Sequence, residues 1–248
     1  MLLEICAGSL TSALNAQTGG AHRIELCDNL TEGGTTPSPG TIRQVKKLLK
    51  IPVFVLIRPR PGDFLYSSDE IESMKEDILF CKEQRAEGVV LGLLKTDGSV
   101  DIDRCSDLIQ LARPMQVTFH RAFDMTRDPF EAMEDIIRLG CEKILTSGQA
   151  ASAIEGSDLI SSLIIKAGKR ITVMPGGGIS EYIVAELVRK TGAQEVHASL
   201  RSPVESKMNF RNDSATMGNK GSDEYSRFET DPDRVKKFLN NLRSSSYI

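Results

Sequence analysis

The sequence of 248 residues contains no tryptophan and few other aromatic residues, with 9 Phe and 4 Tyr. A surface that binds single-stranded nucleic acid by stacking on the bases is therefore poorly supplied. The formal net charge of −3 also excludes a generally basic nucleic-acid-binding protein. No run reaches 18 apolar residues and no basic, apolar leader opens the chain, so we expect neither a membrane span nor a secretory signal.

Cysteine is scarce and carries no metal-binding spacing. The five cysteines are odd in number and widely scattered, and no C-x-x-C motif is present. This pattern is typical of a cytoplasmic protein with reduced thiols. Three of the cysteines fall in predicted helices or a turn and are assigned no role: Cys81, Cys105 and Cys141.

Short apolar runs rich in β-branched residues alternate with helical stretches along the whole chain. Each gap between runs is far longer than a hairpin needs, so the strands are expected to be parallel. Eight such units in about 250 residues predict a single (β/α)₈ TIM barrel over residues 1–248. The predicted strands are Leu2–Cys6, Arg23–Cys27, Pro52–Ile57, Val89–Leu93, Gln116–His120, Lys143–Thr146, Ile171–Met174 and Glu195–Ala198.

The helical stretches follow these strands, and the last helix comes after a long gap. A polar, irregular segment at 199–228 is predicted to be a long ordered loop between strand eight and this helix. A doubly wound sheet is the alternative fold, but no G-x-G-x-x-G follows the first strand, so no nucleotide cofactor is expected. The predicted helices are Leu10–Thr18, Thr41–Lys50, Asp69–Gln84, Ile102–Ala112, Pro129–Leu139, Ser157–Ala167, Ser180–Lys190 and Pro232–Leu242.

In a barrel of this kind the functional site lies at the carboxyl ends of the strands. Because side chains alternate along a strand, Glu4 and Cys6 share one face of strand one, and Glu25 and Cys27 share one face of strand two. The repeated Glu-aliphatic-Cys pattern therefore brings two thiols and two carboxylates to the same end of the barrel. The thiols are either soft ligands for Cu(I) or two small, buried, inert side chains.

Further polar groups follow the ends of other strands. The candidate proton-transfer groups are His120, Glu4, Glu25 and Asp124. The candidate ligand- or anion-binding residues are Arg58, Arg60, Arg121, Ser147, Gly176, Gly177, Gly178, His197 and Arg211.

Each of these groups also has a purely structural interpretation. Gly176–Gly178 either cradles an anion or forms a tight turn. His120 and His197 either exchange protons, bind a metal or are hydrogen-bonded core residues. The arginines Arg58 and Arg60 either hold an anion or pair with Asp63 or the glutamates.

Several long segments resemble the CutC family of copper homeostasis proteins, and its animal members in particular. They are RIELCDNLTEGGTTPSPG at Arg23–Gly40, PVFVLIRPRPGDFLYS at Pro52–Ser67, VTFHRAFDM at Val117–Met125, LTSG at Leu145–Gly148, VMPGGGI at Val173–Ile179 and MNFRN at Met208–Asn212.

The resemblance implies a single TIM barrel and one Cu(I) per subunit, held by the two cysteines that correspond to Cys6 and Cys27. It also implies a homo-oligomer, a dimer or a tetramer, in the cytoplasm and also the nucleus. Some animal members carry a further cysteine next to the histidine after strand eight, where this chain reads His197-Ala198-Ser199. A third thiolate ligand is therefore not expected here.

Two functions remain open from the sequence. The first is copper homeostasis by Cu(I) binding. The second is an enzyme, with an isomerase- or lyase-like activity on a small phosphorylated or carboxylate metabolite, in which copper binding is incidental. The many charged groups at the strand ends motivate the second, since two or three ligands suffice for a copper carrier. A pure interaction scaffold is the weakest interpretation, because it does not explain the inward polar residues.

Overall fold

Eight short parallel strands form the sheet at the centre of the fold. The structure is a computed structural model and describes residues 1–212, 214–215, 217 and 223–244. The eight strands all pair in parallel, as the long gaps between the apolar runs predict. They are β1 (Leu2–Ala7), β2 (Arg23–Leu26), β3 (Val53–Leu56), β4 (Gly88–Leu91), β5 (Gln116–Phe119), β6 (Lys143–Thr146), β7 (Thr172–Pro175) and β8 (Glu195–Ala198).

Eight helices surround the sheet, and local capping explains where several of them begin. Ser67 and Glu70 form a capping box, and Pro39 and Pro129 occupy first-turn positions that lack a hydrogen-bonding partner anyway. The helices are α1 (Leu10–Gly19), α2 (Pro39–Leu48), α3 (Ser68–Glu83), α4 (Ile102–Ala112), α5 (Pro129–Leu139), α6 (Ser157–Ala167), α7 (Val184–Thr191) and α8 (Pro232–Ser244).

The strands separate two apolar layers, because alternate side chains point to opposite faces. Leu3 and Ile5 pack into the large layer between strands and helices. Cys6 and Cys27 belong instead to a small cluster inside the barrel. The predicted parity of strands one and two is therefore observed.

The hydrogen-bonded order is β7-β6-β5-β4-β3-β2-β1-β8. Among the described residues the barrel is thus paired everywhere except between β7 and β8, which pack side by side. The predicted TIM barrel is confirmed in this nearly closed form. None of the helices in the described part of the chain is both long and apolar enough to span a membrane.

The segment predicted as an irregular loop at 199–228 contains two further strands. Its ends pair in antiparallel register as β9 (Arg201–Glu205) and β10 (Ser226–Thr230). Residues 213, 216 and 218–222 of this segment lie outside the described residues. Helix α7 also begins at Val184, not at the predicted Ser180. The Glu181 carboxylate accepts hydrogen bonds from Arg234 of α8, a contact that the local sequence does not reveal.

Candidate functional site

Cys6 and Cys27 meet inside the barrel at the carboxyl ends of β1 and β2. The two strands are neighbours in register, with Cys6 opposite Glu25 and the Cys27 amide donating to the Ala7 carbonyl. Both side chains point inward, and their sulfurs lie 3.5 Å apart. Both residues are buried, and neither forms a disulfide. Two thiols from segments 21 residues apart in sequence therefore form one dithiol.

A carboxyl group completes a three-residue cluster. Ligand atoms from Cys6, Glu25 and Cys27 all lie within 4.8 Å of one another, and all three residues are buried. Soft sulfur donors favour Cu(I) and other thiophilic metals, whereas an oxygen donor is less selective. The cluster is therefore compatible with a small metal site dominated by sulfur.

An ionic network supports this cluster from the side of β8. His197 Nδ1 lies 2.8 Å from Glu4 Oε1, and His197 Nε2 lies 3.6 Å from Glu25 Oε2. The Arg23 guanidinium donates to Glu4, and also to Glu195 at 2.8 Å. Buried charges need such partners, since an isolated one would be costly.

The two thiols have opposite protonation tendencies. The hydrogen bond from Cys27 lowers the pKa of Cys6 well below its usual value, and His197 acts in the same direction against the effect of burial. The same contact, together with burial, raises the pKa of Cys27. The contact between the sulfurs therefore favours the thiolate form of Cys6 and the thiol form of Cys27.

The charged partners follow the same logic. Burial would raise the pKa of Glu4, but the hydrogen bond to His197 and the charge of Arg23 lower it to about 2. Burial would lower the pKa of His197, but contacts with Cys6 and Glu4 raise it well above its usual value. Burial and the Cys6 charge raise the pKa of Glu25. These shifts favour the charged forms of His197 and Glu4 and the thiolate form of Cys6, and they favour the protonated form of Glu25 in the metal-free site.

An inner cavity of about 110 Å³ opens onto this cluster. His120 lines it and is 5% exposed. Its Nδ1 accepts the Ala122 amide at 3.2 Å, while its Nε2 has no partner among the described residues. Burial and the charge of Arg58 lower the pKa of His120 to about 3. His120 is therefore neutral at physiological pH, with its proton on Nε2.

The two arginines after β3 have different surroundings. Arg58 lines the inner cavity, and its guanidinium donates to the backbone carbonyls of Glu32, Gly34 and Gly62. Arg60 does not line the inner cavity and pairs with Asp63 and Glu70. The pairing with Asp63 that the sequence left open is thus present for Arg60.

Asp124, Arg121 and Ser147 form one hydrogen-bonded group at the ends of β5 and β6. Asp124 accepts the Ser147 amide and hydroxyl and the Gln149 amide. Arg121 Nε donates to Asp124 at 2.8 Å, and its Nη2 donates to Ser147 Oγ at 2.8 Å. Asp124 therefore positions Arg121 and the turn after β6.

An outer cavity of about 210 Å³ lies beside the inner one, at the ends of β7 and β8. Gly177, Gly178, Arg121 and His197 line it, so the structure brings these predicted residues together. Gly176 lines neither cavity, and a Cβ there would lie 2.5 Å from Leu145 Cδ1. Arg211 is exposed, lies near Glu205 and Tyr225, and lines neither cavity.

Two basic residues at the site were not predicted from the sequence. Arg23 shares a face of β2 with Glu25 and Cys27, so its parity could have identified it. Arg201 lines the outer cavity, but it falls in the segment whose sequence predicts an irregular loop. Its position three residues after β8 is the signal that marks the other strand-end groups.

Comparison with known proteins supports one family over most of the chain. The CutC family model matches residues 1–202. The human copper homeostasis protein cutC homolog is 52% identical over 236 residues, which cover 95% of this chain and 86% of the human protein. A CutC family protein from Chromobacterium violaceum is 52% identical over 235 residues, covering 95% of each chain.

Solved structures agree on the fold. A crystal structure of a CutC protein from Streptococcus agalactiae matches with a TM-score of 0.77 and 34% identity, covering 80% of this chain and 98% of that one. A phosphoribosylanthranilate isomerase from Pyrococcus furiosus matches with a TM-score of 0.60 at 15% identity, covering 98% and 99% of the two chains, which shows a shared fold alone. The chain therefore belongs to the CutC family.

Proposed function

We propose that this protein binds one Cu(I) per chain through Cys6 and Cys27 as part of copper homeostasis. The observation that carries the proposal is the pair of buried sulfurs 3.5 Å apart. Copper homeostasis is the role in the names of the human and mouse relatives, which are 52% and 51% identical to this chain. Thiolates are the ligands that Cu(I) prefers.

The distance between the sulfurs favours a bent arrangement. Two metal–sulfur bonds of about 2.3 Å to sulfurs 3.5 Å apart enclose an angle of roughly 100° at the metal. A linear arrangement would need sulfurs about 4.6 Å apart. A bent dithiolate leaves room for a third donor, and a Glu25 carboxylate oxygen lies within 4.8 Å of both sulfurs.

The surroundings of the dithiol suit a soft monovalent ion. The three donors fall short of the four that a closed structural zinc site uses. His197 contacts Cys6 and lowers the pKa of its thiol, so the thiolate form is favoured without a highly charged metal. Burial of both cysteines shields bound Cu(I) from water and oxidants.

The test is a Cu(I) titration under anaerobic, reducing conditions against a colorimetric Cu(I) chelator. We expect the wild-type chain to withhold about one Cu(I) from the chelator. The Cys6→Ala/Cys27→Ala variant should withhold none. The matched control is Cys81→Ala/Cys141→Ala, which removes two buried free thiols away from the cluster and should retain the stoichiometry. Unchanged copper stoichiometry in the Cys6/Cys27 variant would contradict the proposal.

A further inference from the structure

The outer cavity has the composition of a site for an anionic group. Binding of Cu(I) by Cys6 and Cys27 does not require this cavity. It lies between the turn after β7 and the residues that lead from β8 into β9. It shares four lining residues with the inner cavity, so the two spaces adjoin. The shared residues are Cys6, Gly33, Arg121 and His197.

The backbone of the turn after β7 supplies hydrogen-bond donors. Gly177 and Gly178 have φ values of +107° and +70°, which residues with a Cβ rarely adopt. Within the described part of the chain, neither amide donates to a protein acceptor. A Cβ on Gly177 would lie 3.5 Å from Arg121 Cζ, so the guanidinium lies directly against this bare stretch of backbone. Successive free amides beside a guanidinium are a common setting for an oxyanion.

Two arginines bring positive charge to the cavity. Arg121 uses Nε and Nη2 to bind Asp124 and Ser147, while its Nη1 has no protein acceptor among the described residues. Arg201 lies over the Phe228 ring at 5.8 Å, and its guanidinium forms no ion pair with any described residue. One guanidinium is therefore oriented in advance by a carboxylate, and the other is available for a ligand.

An independent observation comes from the inner cavity. His120 is 95% buried, since its exposed fraction is 5%, and its Nε2 has no acceptor among the described residues. Because Nδ1 already accepts the Ala122 amide, Nε2 carries the proton and is a buried donor without a partner. Such groups are rare in folded proteins, because a buried donor without an acceptor loses the hydrogen bond that it makes to water in the unfolded chain. A ligand oxygen in the inner cavity would satisfy it.

We propose that the two adjoining cavities bind a small phosphate monoester. Its phosphate lies in the outer cavity, held by Arg121, Arg201 and the Gly177 and Gly178 amides. Its body extends into the inner cavity, where a hydroxyl or carbonyl oxygen accepts a hydrogen bond from His120 Nε2. The volumes of about 210 and 110 Å³ suit a phosphate group and a short carbon chain rather than a nucleotide.

Binding of a phosphate monoester in these cavities does not require bound copper. Cys6 lines both cavities, so copper could alter binding of the ester. Measurements on the metal-free Cys6→Ala/Cys27→Ala variant remove that complication. A failure of copper binding and a failure of ester binding are then separate results.

The experiment is calorimetric titration of metal-free wild-type protein and of this variant with glycerol 3-phosphate, inorganic phosphate and glycerol. We expect both phosphates to bind and glycerol not to bind. Arg201→Ala should raise the Kd for glycerol 3-phosphate about tenfold, the usual scale for a charge-assisted contact. Arg211→Ala removes the same charge from the same connection but lines neither cavity, and should leave the Kd within about twofold.

A spectroscopic measurement tests the inner half of the site. In ¹⁵N-labelled protein, the His120 Nε2 resonance should shift with glycerol 3-phosphate but not with inorganic phosphate. The proposal is overturned if neither phosphate binds at millimolar concentration. Equal losses of affinity for glycerol 3-phosphate in the Arg201→Ala and Arg211→Ala variants also overturn the proposal, because they indicate attraction by overall charge. An unmoved His120 resonance in the ester complex overturns the assignment of the inner cavity.

Discussion

Two buried histidines at one end of the barrel are driven to opposite protonation states by their neighbours. Acidic partners and the Cys6 sulfur raise the pKa of His197, whereas burial and the charge of Arg58 lower that of His120 to about 3. In the sequence the two residues look alike, as single histidines at strand ends. Their pKa values differ because the charge of a buried group is determined by its nearest partners.

The neutral state of His120 predicts a pH dependence of stability. Its folded pKa of about 3 lies below the usual 6.5, so the unfolded chain takes up the proton first as the pH falls. The free energy of unfolding should therefore decrease below about pH 6.5, by about 1.4 kcal/mol per pH unit from this group. Urea unfolding between pH 7 and pH 5 measures the slope.

The control is the His120→Gln variant, which has no titrating ring. Its unfolding free energy should fall less steeply over the same pH interval, whatever its absolute stability at pH 7. Equal slopes in wild type and variant would show that the pKa of His120 is not depressed in the folded protein.

Two glycines in helices show how packing decides the effect of one substitution. Gly40 lies in the first turn of α2, and a Cβ there would lie 3.8 Å from its nearest neighbour, Ser38 Oγ. Gly19 ends α1, and a Cβ there would lie 2.5 Å from the Val235 Cβ of α8. Helix propensity alone favours alanine at both positions by up to about 1 kcal/mol.

We predict that Gly40→Ala raises the free energy of unfolding by about 0.5 kcal/mol. Gly19→Ala should lower it by about 1–3 kcal/mol, because the added methyl group forces α1 and α8 apart. Chemical denaturation of the two variants measures whether each substitution raises or lowers the free energy of unfolding. A stabilising Gly19→Ala would show that the contact between α1 and α8 is looser than the structure has it.

At the scale of the whole molecule, the last helix links the two ends of the chain. Helix α8 packs on α1, where Val235 and Phe238 are fully buried, and Asn15 of α1 donates to the Thr230 carbonyl at 2.9 Å. The strands of this region, β1 and β8, also pair with each other. Closure of the barrel therefore depends on contacts between residues 193 to 215 positions apart.

Removal of the Phe238 ring should destabilise the whole barrel. Phe238→Ala leaves a cavity in this contact and should lower the free energy of unfolding by about 3–5 kcal/mol. Phe228→Ala is the matched control, because that ring is 58% exposed and should cost less than about 1 kcal/mol. Thermal and urea unfolding measure the loss of stability in each variant. Similar losses in both would contradict the conclusion that the packing of α8 on α1 holds the barrel closed.

Most of the fold could be predicted from the sequence. The eight strands, the eight helices and the inward direction of Cys6 and Cys27 follow from periodicity and short-range signals such as the proline at the start of α5. The pairing of β9 with β10 could not be predicted, because all but one of their residues are exposed or half-buried and a long polar connection separates the two strands. The enzymatic alternative, the oligomeric state and the cellular location stay predictions.

The sequence by itself determined the number of βα units, the face of the barrel on which the two thiols lie and membership in the CutC family. These follow from local periodicity and residue identity. Tertiary structure alone decided that the sulfurs lie 3.5 Å apart, that His197 contacts Glu4 across 193 positions and that His120 Nε2 has no hydrogen-bond partner in the described part of the chain. The physical reason is that such distances arise only when the barrel closes and brings the ends of distant strands to one place.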